Sequence, residues 1–289
     1  MPTRDPARGG RHPLRWVARL VVIAIVVGVV VTGFVAWHAA QRAFFTASCA
    51  ATASGTTFTF TPEQTANAAL ISAVAVKRGL PARAATIAIA TAIQESKLRN
   101  LTYGDRDSVG LFQQRPSQGW GTREQILDAV YSTGKFYDAL VKVPGYATGA
   151  ITKVAQQVQR SAYPEAYADH EQQGRVLAST LTGQSPAGLG CRLADPTVVS
   201  SARSVTADLG AQMGTTGAES SGTVRVTASD PTHAWAAAQW AVARAEAYGV
   251  AHVEVAGRTW DRGNGDSALT WGTGGSSDGT TVIIRLGAA

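Results

Sequence analysis

The apolar positions fall into three regimes along the chain. The first is a continuous run, LVVIAIVVGVVVTGFVAW from Leu20 to Trp37, 18 residues without a charge, long enough with its flanks to reach across a bilayer core of ~30 Å. The second, from about residue 56 to 190, is helical. Thr61-Pro62-Glu63-Gln64 supplies an N-cap, a proline at the first helical position and a capping-box glutamine, and Gly79 stops that helix. Pro81 opens the next one, whose residues 81–93, PARAATIAIATAI, are apolar or small almost all round after Arg83, as a helix buried on every side requires. Further helices are predicted after the capping box Thr122 to Gln125, near 132–143, over 152–159 and over 164–181, the last closed by Gly183. The third regime alternates: VRVTAS (224–229), HVEVAGRTW (252–260) and TTVIIRL (280–286) read as strands, with a helix over 233–248 ended by Gly249.

These regimes predict an α+β fold class with six segments: a basic cytoplasmic tail 1–19, a transmembrane helix 20–37, a stalk 38–55, a mostly α domain 56–190, a linker 191–222 and a small α/β accessory domain 223–289. The linker is expected to be flexible because 194–222 is rich in Ser, Thr, Gly and Ala. With 45% hydrophobic and 16% charged residues the chain is ordinary globular material. The net charge of +6 changes meaning once it is located: Arg4, Arg8, Arg11, Arg15 and Arg19 against Asp5 give +4 before residue 20. The remainder is nearly balanced, so a nucleic-acid partner is not supported.

The same arginines, with Trp16 and Trp37 as bookends, place the N-terminus inside and the bulk outside a cell membrane by the positive-inside rule. A cleaved signal peptide is the alternative, against which the apolar run exceeds the usual ~7 to 15 residues. No second long apolar run exists, which argues against a channel or transporter. Export gives the two cysteines a role: Cys49 and Cys191, 142 positions apart, bracket the α domain and are expected to be bridged, two unrelated free thiols being the alternative. The five histidines are scattered without ligand spacing, and no CxxC or G-x-S-x-G occurs. Neither a metal nor another cofactor is expected.

Chemistry concentrates in AIQESKLRNLTYGDRDSVGLFQQRPSQGW, residues 92–120. Glu95 falls in the last turn of the buried helix, where the negative end of the macrodipole and partial desolvation both disfavour a charged carboxylate. A carboxylic acid still protonated near neutral pH can donate to the leaving oxygen of a glycosidic bond. The plainer alternative is a surface glutamate paired with Lys97 or Arg99. Fifteen positions on comes Gly110-Leu111-Phe112-Gln113, with Tyr103, Asp105, Asp107 and Ser108 between.

Glu95-Ser96 followed at this interval by Gly-Leu-Phe-Gln resembles the E-S and G-L-M-Q signature of lysozyme-like soluble lytic transglycosylases. The resemblance covers about residues 60–183. It implies a lysozyme-like α domain in which Glu95 protonates the glycosidic oxygen of peptidoglycan and then acts as base. It further implies that Ser96 orients the acid or substrate and that Gln113 lines the saccharide groove. Two departures stand out. The family's S-x-x-G-A is replaced by the acid-rich residues 103–109, and the later A-Y-N has no clean copy. The nearest segment is 158–164, where Gln159 takes the place of the amide or, alternatively, is a solvated helix end. Tyr103 stacks on a sugar or packs in the core; Trp120 is a core plug or a carbohydrate platform. Asp105 and Asp107 are a possible second acid or a solvated turn.

The C-terminal segment, with Gln239-Trp240-Ala241-Val242-Ala243-Arg244-Ala245 and Gly257-Arg258-Thr259-Trp260, resembles modules that accompany actinobacterial cell-wall hydrolases. Trp235, Trp240, Trp260 and Trp271 form either its core or a wall-binding face. The expectation is therefore a membrane-anchored, extracytoplasmic enzyme that cleaves the MurNAc-GlcNAc bond with one glutamate and no cofactor. Its expected partners are peptidoglycan strands, the membrane through one helix, and a cell-wall or secretion complex. A muramidase, or an inactive wall-binding scaffold, is the alternative.

Overall fold

The structure is a computed structural model describing residues 13–44, 46–159, 164–276 and 278–287. The chain divides into two units, Met1–Thr46 and Ala47–Ala289. Among the described residues of the first unit lies one helix, α1 (Pro13–Phe44). It corrects the expected transmembrane helix 20–37, because no helix among the described residues is long and apolar enough to cross a membrane. Residues 1–12 of the expected basic tail lie outside the described residues, and α1 runs through the rest of it.

In the second unit the segment expected as a stalk begins to fold at β1 (Ser48–Ala53), which turns at Ser54-Gly55 into β2 (Thr56–Phe60). The alternation in β1 sends Cys49, Ala51 and Ala53 inward, the period of a half-buried strand. Next come α2 (Pro62–Lys77), whose capping box at Thr61 and Gln64 forms as the sequence predicts, and α3 (Ala82–Ser96). They are followed by α4 (Arg123–Leu127), α5 (Ala129–Leu140), α6 (Ile151–Gln159), a 3-10 turn over Pro164–His170, and α7 (Glu171–Leu181). The all-apolar helix α3 is the hub, with residues 84–93 buried throughout. It packs so closely on α7 that a Cβ on Gly174 would come within 2.8 Å of the Thr86 carbonyl oxygen, so only glycine permits the approach.

β3 (Leu189–Arg192) returns to pair antiparallel with β1, completing a sheet in the order β2-β1-β3 and setting Cys49 opposite Cys191. The two are joined by a disulfide. The linker expected over 191–222 is corrected: it contributes the end of β3, a helix α8 (Ala202–Met213) and the strand β4 (Gly217–Ser220). Val205, Leu209 and Met213 are buried at a spacing of four, and Lys77 Nζ donates to the Ala211 carbonyl, 2.7 Å, at the carbonyl-rich end of α8.

Then follow β5 (Thr223–Thr227), α9 (Pro231–Ala243), α10 (Ala245–Tyr248), β6 (Val250–Val255), β7 (Arg258–Asp261), β8 (Gly272–Thr273) and β9 (Thr281–Leu286). They form an antiparallel sheet in the order β4-β5-β9-β6-β7-β8. Trp235, Trp240, Trp260 and Trp271 are all buried, which decides for core against an exposed wall-binding face.

The accessory segment does not form a separate body. The buried Gln239 of α9 donates to the carbonyls of Thr180 (2.6 Å) and Ser185 (3.2 Å) and accepts from the Gly188 N–H (2.9 Å). Trp271 Nε1 donates to the Leu189 carbonyl at 2.7 Å. A Cβ on Gly183 would stand 1.9 Å from the Thr232 carbonyl oxygen. The helical and sheet-bearing segments therefore share one core over residues 47–289.

Candidate active site

The end of α3 and the turn it faces build the site. The helix stops because Lys97 takes a left-handed conformation, φ 56°, and Leu98 follows at φ 57°. That reversal leaves Glu95 half-buried at the helix end while Ser96 points into the protein. The Ser96 hydroxyl shares its proton between the carbonyls of Ala92 (3.0 Å) and Leu111 (2.7 Å) and accepts from the Arg99 N–H (3.2 Å). Ser96 thus staples the Gly-Leu-Phe-Gln turn to α3, a positioning task.

Within that turn Leu111 and Phe112 are buried, and Phe112 stacks on Phe136 with ring centroids 4.6 Å apart. Gly110 has φ 82° and lies so near α4 that a Cβ would meet the Ile126 carbonyl at 3.0 Å. Gln113, at φ 47°, sends its amide back to the carbonyls of Tyr103 and Gly110, 3.3 Å each. It holds the loop that presents Tyr103, whose ring is 70% exposed, which favours the groove over the core for that residue.

Gln159, the last residue of α6, donates to the Phe112 carbonyl at 2.8 Å, and its amide also meets the Glu95 carboxylate. It is therefore a constructed contact, not a solvated helix end. Of the 158–164 segment, residues 160–163 lie outside the described residues. The missing tyrosine lies just beyond. Tyr167, fully buried in the 3-10 turn, donates its hydroxyl to Glu95 Oε1 at 2.8 Å. The signal was present in the sequence: Ala166-Tyr167-Ala168 keeps the first two letters of A-Y-N, with Ala168 in place of the asparagine. Next to it His170 Nε2 lies 2.9 Å from Gln94 Oε1.

Burial raises the pKa of Glu95 above the usual carboxylate range, and the hydrogen bonds from Tyr167 and Gln159 only partly oppose it. The alternative, an ion pair with Lys97 or Arg99, is absent among the described residues; Arg99 instead lies 3.9 Å from Glu63. The two aspartates behave differently. Asp107 accepts from Arg115 Nε (2.8 Å), from the Ser117 N–H (2.8 Å) and from the Ser117 hydroxyl (3.0 Å). The guanidinium and then the Ser117 donors hold its carboxyl far below the ordinary range. Asp105 projects into solvent, 89% exposed, 3.9 Å from Arg106. Both have the character of a solvated turn.

Compared with protein-family models and with curated proteins, the chain matches none. The argument for function therefore rests on the site itself. Among the described residues no group of His, Cys, Asp and Glu could hold a metal ion. The end of α3 instead gathers one acid whose pKa burial raises and a phenol and an amide that hydrogen-bond to it, and Tyr103 stands exposed on the loop that Gln113 holds. Beside Gln159 opens a cleft of about 940 Å3 that Trp120 lines, partly buried against the core.

Proposed function

We propose that the protein is a lysozyme-like lytic transglycosylase that cleaves the MurNAc-GlcNAc bond of peptidoglycan outside the cytoplasm, with Glu95 as the single acid and base. The observation that carries the reading is the environment of Glu95: half-buried at the end of α3, hydrogen-bonded by the neutral Tyr167 hydroxyl at 2.8 Å, with its pKa raised by burial. A carboxylic acid with a raised pKa holds more of its protonated form at a given pH, and that is the form that donates to a glycosidic oxygen. The Cys49–Cys191 disulfide fits an oxidising compartment.

Glu95 donates its proton to the leaving oxygen as the bond to the muramoyl C1 breaks, and the substrate's own N-acetyl oxygen covers the electron-poor carbon. The muramoyl 6-hydroxyl then attacks C1 and gives its proton back to the Glu95 carboxylate. No water is consumed, and the product carries a 1,6-anhydro ring. An inverting hydrolase would need a second carboxylate ~6.5 to 9.5 Å away with a water between. Asp107 is committed to Arg115 and Ser117, and Asp105 stands in solvent, which favours the intramolecular route. Incubation of the purified protein with peptidoglycan, followed by mass analysis of the soluble products, tests the reading. Anhydro-muropeptides are expected; predominantly reducing-end products refute the transglycosylase, and no release at all refutes the enzyme.

A further inference from the structure

A second cavity, of about 420 Å3, opens between the first turn of α3, one side of α7 and the turn that joins β1 to β2. Its volume falls within the ~300–1,000 Å3 of small-molecule sites. At a rise of ~1.5 Å per residue Arg83 stands about 18 Å along α3 from Glu95, so this cavity is separate from the candidate active site. Two of its lining residues are arginines, one from each helix, and none is acidic. Arg83 is half-buried and its guanidinium is fixed: Nε donates to the Tyr146 carbonyl at 3.1 Å and Nη2 to the Gly149 carbonyl. Among the described residues it meets no carboxylate, so a full positive charge is drawn partly out of water against carbonyl dipoles alone, with N–H donors to spare. Arg175 reaches in from α7 and shares its charge with Glu171, Nε to Oε1 2.9 Å. α3 begins here with no side-chain cap and no acid in its first turn, so the positive end of its dipole adds to the two guanidiniums.

Guanidiniums that arrive from two helices approach an anion from different sides. A tetrahedral phosphate accepts from both directions, whereas a carboxylate accepts chiefly in its own plane. Two positive charges less that of Glu171 leave one, which matches a phosphodiester better than a doubly charged monoester. The remaining lining is neutral and mostly polar: the hydroxyls of Ser54 and Thr56 and the amide of Gln172 have no partner among the described residues, and Val176 supplies an apolar floor. That lining suits a carrier rich in hydroxyl groups. We propose that this cavity binds a phosphodiester of a sugar or polyol, with Arg83 and Arg175 on the phosphate and Ser54, Thr56 and Gln172 on the carrier. The assignment does not depend on the glycan-cleaving reading. The same chemistry occurs in a free small molecule and in one unit of a phosphate-linked polymer.

The test titrates the full chain, Arg175→Gln and Arg83→Gln by calorimetry at constant ionic strength with glycerophosphoglycerol, with a glycerol phosphate oligomer and, as a control, with glycerol. Saturable binding of a phosphodiester is expected, about threefold weaker in Arg175→Gln, whose charge is exposed, and about tenfold weaker in Arg83→Gln. Thermal melts establish that Arg83→Gln, which gives up two loop contacts, still folds; if it does not, Arg175→Gln decides alone. Binding of the small diester marks the ligand as a free molecule, and binding of the oligomer alone marks it as a polymer unit; either upholds the site. Muropeptide release by Arg175→Gln is expected to match that of the natural protein. No binding by either diester, equal binding by glycerol, or binding that neither substitution weakens overturns the assignment.

Discussion

Glu95 at the end of α3 and Glu254 on β6 are both carboxylates turned toward protein, and their neighbours drive them in opposite directions. Alternation along β6 buries Val253 and Val255, while His252 and Glu254 point to the other face of the sheet. There burial raises the pKa of Glu254, but Arg285 and then His252, 3.1 Å away, outweigh it and leave the carboxyl below its ordinary range. Glu95 is opposed only by a phenol and an amide, and its pKa stays raised. Burial alone therefore does not make an acid. What separates the groove from the sheet is that the groove supplies hydrogen bonds without a cation.

The largest break in this comparison is Glu95→Gln, which keeps the size and removes the transferable proton. Turnover is expected to fall by ~10²–10⁴-fold or more in muropeptide release, with peptidoglycan binding retained. Stability should move the other way. Because the folded pKa of Glu95 is raised, its contribution is whole below the unfolded value near ~4.3 and is lost as pH rises through the folded value. Thermal melts should find the Gln variant gaining on the natural protein as pH rises through that window; parallel melts at all pH values would contradict the burial argument.

Tyr167→Phe sharpens the comparison by leaving Glu95 with less to oppose its burial. The Tyr167 hydrogen bond lowers the pKa, so its loss should raise it, and the alkaline limb of the pH–rate profile should shift to higher pH. A hydrogen bond to a charged group is worth ~1.5–3 kcal/mol, and kcat is expected to fall about tenfold. An unshifted limb would reduce Tyr167 to a packing residue.

On the sheet the same logic is tested in reverse with Arg285→Met, which leaves Glu254 buried without its cation. A loss of about 1 kcal/mol in urea unfolding is expected, a small value because Arg285 is half-exposed and His252 still meets the carboxylate at 3.1 Å. Adding Glu254→Gln should recover most of it, and glycan cleavage should be untouched by either change. Additive losses would show that the two residues do not act as a pair.

The contrast between the two regions also marks what the sequence could convey. Local chemistry was legible: the capping boxes at Thr61 and Thr122 form, the strands over 224–229 and 280–286 appear within a residue or two, and Cys49 meets Cys191. The raised pKa of Glu95 was legible because its helix is buried and a polar loop follows within a few residues. What depends on distant partners was not. β1 is a short, small-residue strand whose pairing with β3 spans more than a hundred positions. α8 has only Val205, Leu209 and Met213 as large apolar buried side chains, beside the polar Gln212, too thin a stripe to distinguish from linker. The union of the helical and sheet-bearing segments rests on Gln239 and on Gly183 and Gly190 at close backbone approaches, and none of these announces a partner. Tyr167 reaches Glu95 from 72 positions away, with only an Ala-Tyr pair to identify it.

The smallest effects are expected at the two aspartates, and they decide whether Glu95 acts alone. Asp107 ties Arg115 to the Ser117 N–H and hydroxyl, fixing the far side of the turn that Ser96 staples. Its depressed pKa, caused first by Arg115, means that the stability it contributes is present above the unfolded value near ~3.9 and disappears only as pH falls through the much lower folded one. At neutral pH Asp107→Asn therefore loosens an exposed ion pair without removing a catalytic group, and turnover should drop by less than about fivefold. Asp105, 89% exposed beside Arg106, has less to lose, and Asp105→Asn should be indistinguishable from the natural protein. Both variants should still release anhydro-muropeptides. If either were as inactive as Glu95→Gln, with reducing-end sugars from the natural protein, the second carboxylate would be real and the groove would belong to a water-consuming hydrolase.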